Sequence, residues 1–204
     1  CTGGKGHVGK YLSKFGIADL GCNVTSPLEV QKTIKYAKPD LIIHLASKSD
    51  VNWCEDEKNK SVVSAVNLIG AYNVAEMAKK VGCRMVLMSS DHIFSGGWWG
   101  GSYKEQDKPK PLNRYGLSKL AAEVLMTAYD EVKIVRTSFL FDYSRLENHI
   151  AKMASGNTDY PAFIRRSFLY LPHFVHSLNT YIRRFDTMPK ILHLSGSETV
   201  SWYE

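Results

Sequence analysis

Three side chains in this sequence have the types and spacing of a proton-transfer site. Tyr115 and Lys119 stand four residues apart in Tyr115-Gly116-Leu117-Ser118-Lys119, a separation that places both on one face of a helix. A free phenol with a pKa near ~10 is a poor proton shuttle at neutral pH, and a neighbouring ammonium favours the phenolate. Ser90 ends the apolar run Arg84-Met85-Val86-Leu87-Met88-Ser89, so a hydroxyl stands at the carboxyl end of a strand, where ligands of open α/β sheets bind. In this reading Tyr115 protonates a carbonyl oxygen as hydride reaches its carbon, Ser90 hydrogen-bonds the same oxygen, and Lys119 tunes the phenol. Tyr and Lys at this spacing also occur by chance on amphipathic helices; the order of the motifs along the chain carries the argument.

That order begins with Thr2-Gly3-Gly4-Lys5-Gly6-His7-Val8-Gly9, glycines at three-residue intervals followed at once by the amphipathic segment Val8 to Phe15. A phosphate-binding turn needs this pattern: Gly3 for a tight turn after a strand, Gly6 so that backbone N–H groups approach a pyrophosphate, Gly9 for close packing of helix and strand. Three glycines in eight residues also suit a surface loop. With the serine, tyrosine and lysine downstream, the turn reads as a dinucleotide site using Gly3, Gly6, His7, Val8 and Gly9, and Lys119 would then also bond the nicotinamide ribose.

The elements needed to position these groups are legible. A helix runs from Pro27 to about Ala37, and Leu41 to Ala46 is apolar enough for a strand buried on both faces. A long helix over roughly Lys60 to Lys80 ends at Gly82, the strand Arg84 to Ser89 follows, then a loop from Ser95 to Pro111, a helix Tyr115 to Tyr129 and a strand Val132 to Arg136. This alternation predicts an α/β fold, a Rossmann-like doubly wound parallel sheet with right-handed crossovers. After Phe141 the pattern loosens into helices near Leu146 to Ala154 and Phe174 to Phe185 and a strand at Ile191 to Leu194. The expected division is a dinucleotide-binding domain over 1–141 and a smaller substrate lobe over 142–204 that partly returns to the core. The glycine turn lacks its preceding strand and Gly16 to Cys22 is short for a second one, so residues are expected to be missing before Cys1, around Gly16 to Cys22, after Phe141 and beyond Glu204.

With 204 residues, 44% of them hydrophobic, the chain can bury one substantial core. The formal charge of +6 is spread over many segments without a basic stripe interleaved with aromatics, which argues against nucleic acid. Cysteines at 1, 22, 54 and 83 show neither metal-ligand spacing nor a disulfide framework, so no metal is expected and reduced thiols fit a cytoplasmic protein. No apolar run reaches membrane-spanning length. His44, inside an apolar strand, reads as a satisfied core histidine. His173 and His176 lack further ligands, and Trp98-Trp99 reads as a functional loop. Arg165-Arg166 suits a diphosphate clamp or a solvated pair equally.

These stretches together resemble the extended short-chain dehydrogenase/reductases and, within them, the dTDP-4-dehydrorhamnose reductase family. The resemblance is carried by Thr2 to Gly9, Lys38 to Ser47, Asp50 to Glu55, Asn67 with Gly70 to Asn73, Ser89 to Gly96, Pro111 to Lys119, Arg136 to Phe139 and Ile191 to Tyr203. It implies reduction of a 4-keto nucleotide sugar by NADH or NADPH, with Tyr115 as proton donor, Lys119 as its partner and ribose ligand, and Ser90 assisting. It further implies that Asp91 and Phe139 border the sugar nucleotide, that Ala46, Ser47 and Lys48 line the adenosine side, and that Asn67 holds the strand and helix carrying the site. A homodimer is left open. Lys48 and Phe139 depart from the family's usual aromatic or apolar residue and tryptophan, Pro172-His173-Phe174 from its Pro-Thr-Tyr, and an acidic residue near Asn23 is absent. Asp19 falls too close to Gly9 for the ribose-binding acid. An epimerase or dehydratase of the same superfamily, and a cofactor-binding regulatory subunit without turnover, remain as alternatives.

Overall fold

The computed structural model describes residues 1–96, 102–156 and 165–201; Trp98 and Trp99 lie outside them. The chain enters on a strand reduced to a single bridge. Thr2 bridges His44 in parallel and donates its N–H to the Ile43 carbonyl at 3.1 Å, after which the glycine turn feeds α1 (His7–Ser13). On the other side of this strand, Leu20 N donates to the Cys1 carbonyl at 2.7 Å. The stretch 17–22 forms no regular strand, as its length requires, yet it returns alongside Cys1 before the chain crosses to α2 (Pro27–Ala37) and β1 (Leu41–His44). The chain thus leaves this strand first to one side and then to the other. That reversal is a topological switch point, and the glycine turn stands at it.

The remaining elements are α3 (Val51–Glu55), α4 (Lys60–Ser64), α5 (Gly70–Val81), β2 (Arg84–Ser90), α6 (Arg114–Met126), β3 (Val132–Thr137), β4 (Leu140–Phe141), α7 (Tyr143–Ala154), β5 (Arg165–Arg166), β6 (Leu169–Tyr170), α8 (Leu171–Ile182), β7 (Ile191–His193) and β8 (Val200–Ser201). The main sheet runs β1-β2-β3-β7, every pair parallel, as the alternating pattern predicts. Its strands read as continuous apolar runs because both faces are covered. Ile42, Met85, Leu87, Val132 and Ile134 pack with side chains of α2, α5 and α6. Ile43, Val86, Met88 and Val135 pack with Leu12 of α1 and with Leu171, Phe174, Val175 and Leu178 of α8. Each fully buried aliphatic side chain of this kind contributes about 1.5–3 kcal/mol. Hence α8 and β7, late in the sequence, complete the sandwich, while β4 pairs with β6 and β5 with β8 outside the main sheet.

Several boundaries move for local reasons. The helix expected from Lys60 to Lys80 is interrupted by a π turn at Ala65–Ile69. The helix expected from Leu146 starts at Tyr143 because Asp142 caps it, its Oδ1 accepting Arg145 N at 3.0 Å. The one expected from Phe174 starts at Leu171, with Pro172 in the first turn, where a missing N–H is harmless.

Candidate active site

The corner that holds Tyr115 is built by jamming the start of α6 against the turn that follows β2. Asn113 caps α6, its Oδ1 accepting Gly116 N at 2.7 Å. A Cβ on Gly116 would stand 2.0 Å from the His92 carbonyl oxygen, so only glycine lets the helix come this close. Ser90 at the end of β2 and Tyr115 on α6 are thereby brought together, with Tyr115 8% and Lys119 3% exposed. Burial pushes the Tyr115 phenol up to about 12, hydrogen bonding with Ser90 acting in the opposite sense. Burial likewise brings Lys119 down to about 8 against the opposing charge of Glu123. The spacing rule, in which the lysine lowers the tyrosine, does not hold here: desolvation dominates, and the charges bearing on the phenol are those of Asp91 and Arg166 rather than Lys119. Tyr115 is consequently a fully protonated donor at neutral pH, the state that a reduction requires.

Three anchors fix α6. Asn67, 1% exposed in the π turn, accepts Lys48 N at 2.7 Å and Ser47 Oγ at 3.1 Å on its Oδ1. Its Nδ2 donates to the Lys48 carbonyl at 3.0 Å and to Ser118 Oγ at 2.8 Å. Ser118 in turn donates to the Tyr115 carbonyl at 2.7 Å, so the loop after β1 is tied to the helix that carries Tyr115 and Lys119. π turns of this kind concentrate at functional sites. Arg114 is the second anchor: its Nη1 donates to the carbonyls of Cys54, Glu55 and Asp56 at 3.0–3.1 Å, while its Nη2 meets Glu57 and its backbone N–H meets the Glu55 carboxylate. The third is a buried fork of Arg136 on Glu123, Nη2 to Oε2 at 2.8 Å and Nε to both oxygens at 3.1 Å, which joins α6 to β3. Sequence reasoning found Asn67 by resemblance and missed Ser118, Arg114 and the Glu123–Arg136 pair; the serine within Tyr-Gly-Leu-Ser-Lys was the available signal.

At the glycine turn, Gly3 has φ +68° and an added Cβ would lie 2.8 Å from Ala46 N. Gly9 packs on the turn itself, where a Cβ would meet Gly4 Cα at 2.4 Å. No side chain caps α1, whose N-cap is Gly6, so the first-turn N–H groups at His7 and Val8 face an uncapped end. The turn borders a shallow cleft lined by Gly3, Gly4, Gly6, Asp19, Gly21 and Cys22. This cradle at the switch point, closed to any side chain at Gly3, fits a dinucleotide diphosphate. Asp19 lies on it, Oδ1 accepting Gly4 N at 3.1 Å and Gly21 N at 3.2 Å, because the short connection after α1 delivers it there despite its small separation from Gly9. Around the cradle, Ala46 N donates to Thr2 Oγ1 at 3.3 Å and the Lys48 ammonium stands 5.2 Å from the Trp53 ring centre. His7 Nε2 lies 3.5 Å from Asp142 Oδ2. His44 departs from the reading of a satisfied core residue: Nδ1 pairs with Thr2 Oγ1 at 2.9 Å, but Nε2 is buried without a partner among the described residues. Burial, then the charge of Lys119, lowers His44 to about 3, so the ring is neutral.

On the facing side Asp91 is clamped. Arg166 donates Nη2 to Oδ1 at 2.6 Å and Nε to Oδ2 at 3.0 Å, Ser138 Oγ donates to Oδ2 at 2.7 Å, and Ser90 Oγ donates to Oδ1 at 3.2 Å. Burial opposes the Asp91 charge, but Arg166 with His92 and Ser138 holds the carboxyl below its usual range. The two arginines are therefore used separately: Arg166 binds Asp91, while Arg165, exposed to solvent, donates Nη2 to the Thr199 carbonyl at 2.7 Å. Phe139 stands apart from this network in an aromatic cluster, edge-on to His149 at 5.0 Å and Phe168 at 5.4 Å, with the Arg145 guanidinium 4.7 Å from its centre. His173 packs edge-on to Tyr170 at 5.3 Å.

A parallel sheet with a glycine cradle at its switch point, beside a buried serine and a Tyr-x-x-x-Lys helix, defines an extended short-chain dehydrogenase/reductase fold. The chain belongs to the family described as the RmlD substrate binding domain, whose model matches residues 1–204. It is 32% identical over 196 residues to a dTDP-4-dehydrorhamnose reductase of Sinorhizobium fredii, an alignment covering 90% of this chain and 63% of the relative. It is 25% identical over 198 residues to methionine adenosyltransferase 2 subunit beta of Xenopus tropicalis, covering 89% of this chain and 57% of that one. Among solved structures, dTDP-4-dehydrorhamnose reductase of Bacillus anthracis in complex with NADP superposes with a TM-score of 0.82 at 27% identity, over 99% of this chain and 75% of the other. The chain spans between half and two thirds of the length of the curated relatives it matches.

Proposed function

We propose that the chain carries the reducing site of an NAD(P)H-dependent nucleotide-sugar reductase, acting on a 4-keto sugar in the manner of dTDP-4-dehydrorhamnose reductases. The observation that supports it best is the buried corner at the carboxyl end of β2, where Ser90 hydrogen-bonds Tyr115 and Lys119 lies buried one helical turn further along α6. When bound, NADPH or NADH supplies the hydride. Gly3, Gly6, His7, Val8 and Gly9 would hold the diphosphate, Ala46, Ser47 and Lys48 the adenosine side, and Lys119 the nicotinamide ribose. Tyr115 gives its phenolic proton to the carbonyl oxygen while Ser90 hydrogen-bonds that oxygen, and the ketone leaves as an alcohol. Residues from 142 onward, with Asp91 and Phe139, form the substrate side. The test is thermal shift with NADH, NADPH and neither, followed by absorbance of the reduced nicotinamide with a dTDP-4-keto-6-deoxy sugar added. Stabilisation by a cofactor with sugar-dependent loss of absorbance is expected; no stabilisation by either dinucleotide would sink the reading.

The similarity to a subunit of methionine adenosyltransferase supports a second reading, in which the same cradle binds a dinucleotide within a regulatory subunit. Stabilisation without turnover of any keto sugar is the outcome that reading expects.

A further inference from the structure

Asp91 follows Ser90 in sequence, and its carboxylate competes with the substrate oxygen for the Ser90 hydroxyl hydrogen. A serine that assists reduction must donate its hydroxyl hydrogen to the substrate oxygen, yet a carboxylate beside it is a stronger acceptor than a neutral carbonyl. Asp91 is also a negative charge close to where an alkoxide would develop. Left alone, it would oppose the reaction twice over.

The structure supplies a counterweight. A carboxylate has about four acceptor sites, and those of Asp91 are taken by both arms of the Arg166 fork, at 2.6 and 3.0 Å, by Ser138 at 2.7 Å and by Ser90 at 3.2 Å. The contact with Ser90 is the longest of the four. Ser90 Oγ separately accepts His92 N at 3.3 Å, which fixes the oxygen while leaving the proton able to rotate. Arg166 reaches the corner from β5, which pairs with β8. We infer that Arg166 is a positioning residue for Ser90: by saturating and neutralising Asp91 it frees the serine proton for the substrate oxygen. This rests on the reductase reading above.

A double-mutant cycle tests it. Arg166→Gln should lower kcat by about 100-fold, the lower end of the scale for losing one donor to a developing oxyanion, with KM changed by less than about threefold. In an Asp91→Asn background the same change should cost less than about threefold, because the charge it opposes is gone. Equal losses in both backgrounds, or a loss confined to KM, would overturn the inference in favour of a tether through the β5–β8 pair or a direct substrate contact. An independent readout is the NMR titration of His92, which faces Asp91 and Arg166 and packs edge-on to Tyr115. Its midpoint should rise in Arg166→Gln and return toward the wild-type value in the double variant; an unmoved midpoint would show that the clamp does not set the field there. Absence of turnover in the wild-type chain overturns the reductase reading, whereas turnover that Arg166→Gln leaves intact overturns the role of Arg166 alone.

Discussion

The corner that holds Tyr115 and the side that carries Arg166 differ in how they are held. Asn67 alone makes four hydrogen bonds in the corner, and α6 is tied separately to the Cys54–Asp56 carbonyls and to β3. On the side of Arg166, β4, β5, β6 and β8 are two residues each, and α7 buries none of its side chains. Proton transfer tolerates errors of only tenths of an ångström in its donors, while recognition of a sugar can be altered by changing loops on a fixed sheet. Under the proposed function the two regions would divide chemistry from selectivity, and each can be perturbed separately.

The largest effect should come from Tyr115→Phe. Removing the donor should lower turnover by about 10²- to 10⁴-fold, while thermal unfolding of the variant stays close to wild type, since the ring that fills the corner remains. Full reductase activity in this variant would remove the corner from the chemistry altogether. Next, Asn67→Ala removes four hydrogen bonds at once, to Ser47, to both backbone groups of Lys48 and to Ser118. At about 0.5–1.5 kcal/mol for each hydrogen bond lost, a loss of about 3 kcal/mol is expected in chemical denaturation. A loss under about 1 kcal/mol would mean that the corner is no better anchored than the side facing it.

Lys119 sharpens the contrast through pH. Its folded value of about 8 lies below that of an exposed lysine, so its proton is lost as pH rises through about 8 in the folded chain but is kept to about 10.4 in the unfolded one. Where the unfolded chain binds more protons, stability rises with pH; where the ammonium is needed, kcat/KM falls about tenfold per unit above pH 8. Activity and the contribution of Lys119 to stability should therefore move in opposite directions between pH 8 and 10. The check is a pH series of kcat/KM with denaturation midpoints of wild type and Lys119→Met; parallel stability curves for the two proteins would refute the assignment.

How much of this was legible in the sequence depended on whether a feature was local. The parallel sheet followed from apolar runs such as Met85 to Met88 alternating with helical stretches, and Ser90, Tyr115 and Lys119 from residue type and spacing. What stayed hidden was set by neighbours distant along the chain. Desolvation of Tyr115 comes from the whole corner, Arg166 meets Asp91 across 75 positions, and Asp19 reaches Gly4 only because the segment after α1 folds back along Cys1. The π turn at Ala65–Ile69 was likewise invisible, since a one-residue widening leaves the hydrophobic period almost unchanged.

The smallest effect belongs to α7. Ile150 is 56% exposed, and its helix is held at the start by the Asp142 cap, with Ser144 Oγ donating to Oδ1 at 2.9 Å, more than by burial along its length. An Ile→Ala change in a packed core costs about 2–5 kcal/mol, whereas a surface change away from such packing stays within about 0.5 kcal/mol. Ile150→Ala should fall in the second class by chemical denaturation and leave kcat unchanged. Asp142→Ala, which removes the cap, should cost about 1 kcal/mol. If Ile150→Ala proved the costlier of the two, α7 would have to be packed against something in solution, and the division between a tightly anchored chemical corner and a lightly held substrate side would fail at its weakest element.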